Sequence, residues 1–145
     1  MNHNLQNRTT LNGGFTLIEA LFASMLIGLV IAALAASSGA YTMANAAGVD
    51  LSTAEFLIEE IREHTAPVAF SNLAAVGGNF SPPIDVDGNP MAEFAVFEQQ
   101  VVVQNVNSSD FTTPLAGSDF IRITVTITKN GQPVSDASWI RAKLD

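Results

Sequence analysis

The chain changes character three times. Residues 1–14 are polar, and from Phe15 the pattern turns apolar (FTLIEALFASMLIGLVIAALAA). No Asp, Glu, Lys or Arg occurs from Ala20 to Val49, a run of 30 residues. About 20 apolar residues suffice to cross a bilayer as a helix. Glu19 is the one charge in the apolar stretch that begins at Phe15, close to its start. From Asp50 to Thr65 the pattern becomes amphipathic. Ala54, Leu57, Ile58, Ile61 and Thr65 recur at the i, i+3, i+4, i+7 spacing of one helix face. Pro67 ends the pattern by pushing the preceding residue out of the α region. A continuous helix from Thr16 to Thr65 would measure about 75 Å at about 1.5 Å per residue. Its weak points are Gly28, Ser37-Ser38-Gly39 and Gly48. Glu55, Glu59 and Glu63 lie opposite the stripe, as a solvated face or a strip for a basic neighbour. Phe56 lies off the stripe and needs cover from the following loop or from a partner.

Residues 66–92 are punctuated by Pro67, Gly77-Gly78, Pro82-Pro83, Asp87-Gly88 and Pro90, and read as an irregular loop. Phe70, Leu73, Val76 and Phe80 would anchor it to the helix, and Ser71–Val76 suits one helical turn. The remainder reads as β. Phe94–Val106 suits a strand. Asp119–Lys129 alternates, with Ile121, Ile123, Val125 and Ile127 on one face and Arg122, Thr124, Thr126 and Thr128 on the other. Asn130-Gly131 is a favoured two-residue hairpin turn, and Val134–Ala142 would be the return strand. A short fourth strand is expected near Met91. The fold class is therefore α+β: a long N-terminal helix, transmembrane in its first half, packed against a C-terminal antiparallel sheet of three to four strands. An extracytoplasmic head would span 50–145, with the helix continuing over 50–65, the loop over 66–92 and the sheet over 93–142.

Charge and composition narrow the function. Fourteen acidic residues against six basic ones give the 145-residue chain a net charge of −8. That argues against nucleic-acid binding, which needs a basic footprint on phosphates. The absence of cysteine removes disulfides, thiolate nucleophiles, zinc knuckles and iron–sulfur clusters. Beyond the polar leader there is one histidine, His64, placed where a helix C-terminus favours a cation. The serines lack a nucleophile elbow, Glu59 and Glu60 point apart, and Gly77-Gly78 is too sparse for a phosphate loop. No enzyme chemistry is visible. Asp85-Val86-Asp87-Gly88-Asn89 has the flavour of a calcium loop, making Asp85 and Asp87 weak metal candidates. The distal ligands of an EF-hand are missing, and a tight turn explains the same residues. No cofactor is expected beyond that faint calcium reading.

The junction Gly13-Gly14-Phe15-Thr16-Leu17-Ile18-Glu19 admits three readings. One is a permanent transmembrane anchor, and another a secretory signal cut near Ala33-Leu34-Ala35. Neither has a use for Glu19, since a carboxylate in lipid costs about 2.5–3.5 kcal/mol when central. The third rests on G-F-T-L-I-E followed by a long apolar helix. This resembles the class III leader of type IV pilins and type II secretion pseudopilins. The resemblance implies cleavage by a prepilin peptidase between Gly14 and Phe15, N-methylation of Phe15, and a mature chain Phe15–Asp145. It also implies that Glu19 attracts the terminal amine of a neighbouring subunit during assembly. Such an amine has an ordinary pKa near ~7.7, and a carboxylate withdrawn from water needs a partner. The uncut precursor has no amine there.

Within the family, Ala54-Glu55-Phe56-Leu57-Ile58-Glu59-Glu60-Ile61-Arg62 resembles a segment of minor pilins of the V type and of the I-type minor pseudopilin. The missing C-terminal cysteine pair departs from many major pilins, as does Ala36 where many have proline. The resemblance implies a minor pilin or pseudopilin in the bacterial inner membrane, its N-terminus cytoplasmic and its head outside, later moving into a filament. Arg8 ahead of the apolar run agrees with that orientation. The implied partners are the prepilin peptidase, other pilin or pseudopilin subunits, an assembly platform and inner-membrane lipid. Removing Arg8 with the leader takes the net charge from −8 to −9, so no direct nucleic-acid contact is expected. The alternative is a single-pass anchored or secreted binding module that never enters a filament.

Overall fold

The structure is a computed structural model that describes residues 14–144. The leader expected over 1–14, including Arg8, lies outside the described residues except for Gly14. The chain divides into two compact units, one ending at Ala44 and the other Asn45–Asp145. One helix, α1, runs Leu17–Thr65 and contributes to both. Strands β1 (Gly78–Phe80), β2 (Phe97–Asn105), β3 (Phe120–Lys129) and β4 (Gln132–Ala142) belong to the second unit.

In the first unit every described residue is exposed, including Leu21, Phe22, Met25, Leu26, Ile27, Leu29, Ile31 and Leu34. Among the described residues α1 is the one helix long and apolar enough to cross a membrane. Two of its hydroxyls bond back to the helix in this apolar surface. Ser24 Oγ donates to the Leu21 carbonyl at 2.9 Å, and Thr42 Oγ1 donates to the Ser38 carbonyl at 3.0 Å. Back-bonding of this kind satisfies a hydroxyl where no water is at hand.

The second unit is α+β. Its four strands form one antiparallel sheet in the order β1-β2-β3-β4. The alternation along β3 buries Ile121, Ile123, Val125 and Ile127 completely or nearly so. They join Phe97 and Val101 of β2 and the α1 stripe Ala54, Leu57, Ile58 and Ile61 in one core. Both periodicities thus meet at the same interface, the helix covering the sheet's apolar face. The β3–β4 hairpin turns at Asn130 and Gly131, with φ of 52° and 76°. Positive φ at both positions is the twist-compatible type I′ geometry, which Asn-Gly tolerates best.

Three polar residues fix the helix on the sheet. Gln99 is fully buried. Its Nε2 donates to the Leu57 carbonyl of α1 at 2.9 Å and to the Ile84 carbonyl at 3.3 Å, and its Oε1 accepts from the Ile84 N–H at 2.7 Å. Arg141 of β4 donates to the carbonyls of Thr65, Ala66 and Val68 at 2.9–3.3 Å. The Thr65 carbonyl, which also accepts from the Val68 N–H at 3.2 Å, is the last of α1, where a cation suits the helix dipole. Lys129 pairs with Asp50 at 2.6 Å.

The structure revises several expectations. The fourth strand is not near Met91 but at Gly78–Phe80, opposite Gln99–Val101. Pro82, Pro83 and Pro90 lack the N–H that a ladder needs. A Cβ on Gly77 would sit 3.4 Å from the Val101 carbonyl, so glycine eases the close approach that starts β1. Met91 is instead buried, its N–H donating to Pro83 at 2.7 Å. The helical turn expected at Ser71–Val76 is present as a 3₁₀ helix over Phe70–Val76 around buried Leu73. β2 starts at Phe97 rather than Phe94. Phe94 lies in a short 3₁₀ turn and meets Phe56 at 5.7 Å between ring centroids, which gives Phe56 part of the cover it needed. β4 begins at Gln132, two residues earlier than expected. The acidic row on α1 is partly engaged: Glu55 accepts from Ser135 at 2.6 Å and Glu59 pairs with Arg62 at 2.9 Å.

Gln99→Leu should destabilise the second unit by about 1–3 kcal/mol, because the Ile84 N–H is left buried without a partner. Ile123→Asp should abolish its cooperative unfolding transition. Denaturant titration of the full chain in detergent, followed by Trp139 fluorescence, checks both. An unchanged midpoint for Ile123→Asp would contradict the packing described.

Candidate functional site

Three of the expected site residues, Gly14, Phe15 and Glu19, come together around the start of α1. Gly14, Phe15 and Thr16 are outside the helix, which begins at Leu17. Phe15 is 81% exposed. A Cβ on Gly14 would meet nothing within 4 Å. No contact in the described chain therefore demands glycine at position 14. The Gly14–Phe15 peptide bond lies in uncovered, non-helical backbone.

The helix start is set by a residue the sequence reading passed over. Thr16 is the N-cap of α1. Its carbonyl accepts from the N–H groups of Glu19 and Ala20, both at 3.1 Å, and its Oγ1 accepts from the Glu19 N–H at 3.3 Å. Thr16-Leu17-Ile18-Glu19 has the Thr-x-x-Glu spacing of a capping box, a signal present in the sequence. It puts Glu19 in the first turn, beside the positive end of the helix dipole. The Glu19 side chain has no ion-pair partner among the described residues. A free amine at Phe15, or one brought by another chain, would supply a cation to a carboxylate that otherwise faces lipid alone.

The weak metal candidates Asp85 and Asp87 lie in a loop held by α1. Glu60 Oε2 accepts from the Val86 N–H at 2.7 Å, and His64 Nδ1 lies 2.8 Å from the Val86 carbonyl. Asp85 Oδ1 accepts from the N–H groups of Asp87 and Asn89 at 3.0 and 2.8 Å, and Asn89 Nδ2 donates to Oδ2 at 3.3 Å. The Asp85 carboxylate thus serves its own turn, with Gly88 at φ 83° completing it. The Asn89 N–H, aided by those of Asp87 and Gly88, holds the Asp85 carboxyl below its ordinary value of 3.8. No group of three or more His, Cys, Asp or Glu able to hold a metal occurs among the described residues.

Comparison with protein-family models, with curated proteins and with solved structures finds no match to this chain. The fold and the junction must carry the functional argument themselves.

Because its folded value is lowered, the Asp85 carboxyl favours the turn at pH above 3.8 and ceases to do so as pH falls through its folded value. Carboxyl titration by NMR should place its midpoint below 3.8, with the Asn89 amide losing protection in the same range. A midpoint at or above 3.8 would contradict the geometry.

Proposed function

We propose that the chain is a minor pilin or pseudopilin precursor, cut between Gly14 and Phe15 by a prepilin peptidase, methylated at Phe15, and assembled into a filament through α1. The filament would be a type IV pilus-like fibre or a secretion pseudopilus. One observation carries the reading: Gly-Phe-Thr-Leu-Ile-Glu opens a single apolar helix that is exposed along its first half. Several features support it. The glycine before the proposed cut answers to no contact inside the described chain, so the requirement for it is sought in an outside partner. The bond to be cut lies in accessible, non-helical backbone. Glu19 is a carboxylate without an ion-pair partner among the described residues, in an apolar surface, and cleavage creates the amine it lacks. The second unit uses the last turns of α1 as part of its own core, which ties a small folded head to an apolar helix.

Before cleavage the precursor would sit in the inner membrane, its N-terminus cytoplasmic and the second unit outside. Lipid solvates the apolar surface of α1 until like subunits replace it. The assembly platform and neighbouring subunits are then the partners, and catalysis by this chain has no part in the scheme.

Intact mass and N-terminal sequencing of the protein from native membranes test the reading. A chain starting at Phe15 and one methyl group heavier than its sequence is expected. A start near Ala36, or an intact Met1 form in cells with an active prepilin peptidase, would overturn it. Glu19→Val should still be processed but should fail to enter filaments, scored by the fraction recovered with assembled subunits. Normal incorporation of that variant would remove Glu19 from the assembly mechanism.

A further inference from the structure

We infer that Thr16 is a positioning residue for cleavage: its N-cap bonds halt α1 at Leu17 and so keep the Gly14–Phe15 bond in non-helical backbone that a peptidase can bind. The inference rests on the processing reading above. A peptidase must reach the scissile carbonyl from outside, and a carbonyl inside a helix is engaged by the N–H four residues on and shielded by the surrounding turn. In this chain the first carbonyl taken up by α1 is that of Thr16, through the N–H groups of Glu19 and Ala20. The Thr16 hydroxyl adds a second acceptor for the Glu19 N–H. An N-cap has non-helical backbone, so a residue that caps at 16 prevents the helix from running back through 15 and 14.

The need for such a stop is written in the flanking sequence. The apolar run begins at Phe15, and an apolar environment favours helix wherever backbone groups would otherwise lack partners. The next cap-type side chain upstream is Asn12. A helix capped there would enclose both Gly14 and Phe15 in its first turns. The same cap also holds Glu19 three residues inside the helix start, at a fixed spacing from the amine that cleavage leaves on Phe15. A single hydroxyl thereby sets the position of the bond to be cut and of the carboxylate used afterwards.

Loss of the cap changes the fraction of molecules in the cleavable form, not the chemistry on the bound form. A substrate whose competent conformer is less populated shows a proportionate rise in apparent KM with kcat unchanged. The test uses the full-length precursor in phospholipid vesicles with a purified prepilin peptidase, comparing wild type, Thr16→Val and Thr16→Ser. Valine keeps the branched shape without the hydroxyl, and serine restores the cap. Thr16→Val should raise KM by up to about fivefold, the full size of an ordinary N-cap effect, with kcat held and Thr16→Ser close to wild type. The second unit should unfold at the same denaturant midpoint in all three. Equal KM for Thr16→Val and wild type would overturn the role of Thr16 while leaving processing intact. A fall in kcat alone, or no rescue by serine, would overturn it too, because direct contact with the peptidase would then be the cause. Failure of the wild-type chain to be cut at Gly14–Phe15 would overturn the functional reading and this inference with it.

Discussion

The second unit depends on the stripe of Ala54, Leu57, Ile58 and Ile61 that α1 lays against the inner face of the sheet. A four-stranded antiparallel sheet has one apolar face, and that face needs a cover. No other long helix exists among the described residues to provide it. The interface is apolar and so does not by itself fix where the helix sits. Gln99 and Arg141 do that, the first by reaching a carbonyl in mid-helix, the second by taking the carbonyls at its end. Gln99 is tolerated in the core because each of its polar atoms has a partner, including the Ile84 N–H that the loop cannot satisfy locally.

The other half of α1 obeys the opposite rule. From Leu17 to Val49 its apolar side chains are exposed, and the pattern has no polar face to turn toward water. A helix that is apolar all round requires lipid or other protein around it. The change between the two regimes falls near Asp50, the first charge after the apolar run, which Lys129 of β3 holds. On the proposed reading one helix answers to membrane, filament and head in turn. On the same reading, the cost of Glu19 in that surface would give cleavage its consequence, since a new amine would turn an unfavourable carboxylate into half of an ion pair.

Much of the fold was legible in the sequence because its signals are local. The α1 stripe and the β3 alternation are periodicities fixed by backbone geometry, and Asn130-Gly131 is a turn that few other dipeptides can make. The rest depends on which groups the folded chain brings together. β1 is three residues long and shows no alternation, so its pairing with Gln99–Val101 cannot be read from its own composition. Gln99 looks like a surface residue in Glu98-Gln99-Gln100, although its spacing from Phe97 and Val101 places it on the buried face. The Asp85 loop has residues common to calcium sites and to Asx turns, and only the backbone N–H positions distinguish them. At the junction, Gly14, Phe15 and Glu19 stood out by type and order. Thr16 did not, because a cap is recognised by where a helix begins, and an apolar run alone does not mark its first turn.

The central claim is that the apolar half of α1 ends in contact with the same region of like subunits. The most direct measurement places a photoreactive residue at Leu34 of the full chain in native membranes and identifies what it captures. The account predicts covalent adducts with the apolar helices of pilin-like subunits, formed by the chain that starts at Phe15 and absent when cleavage is blocked. Capture of lipid alone, whether or not the chain is cut, would contradict it.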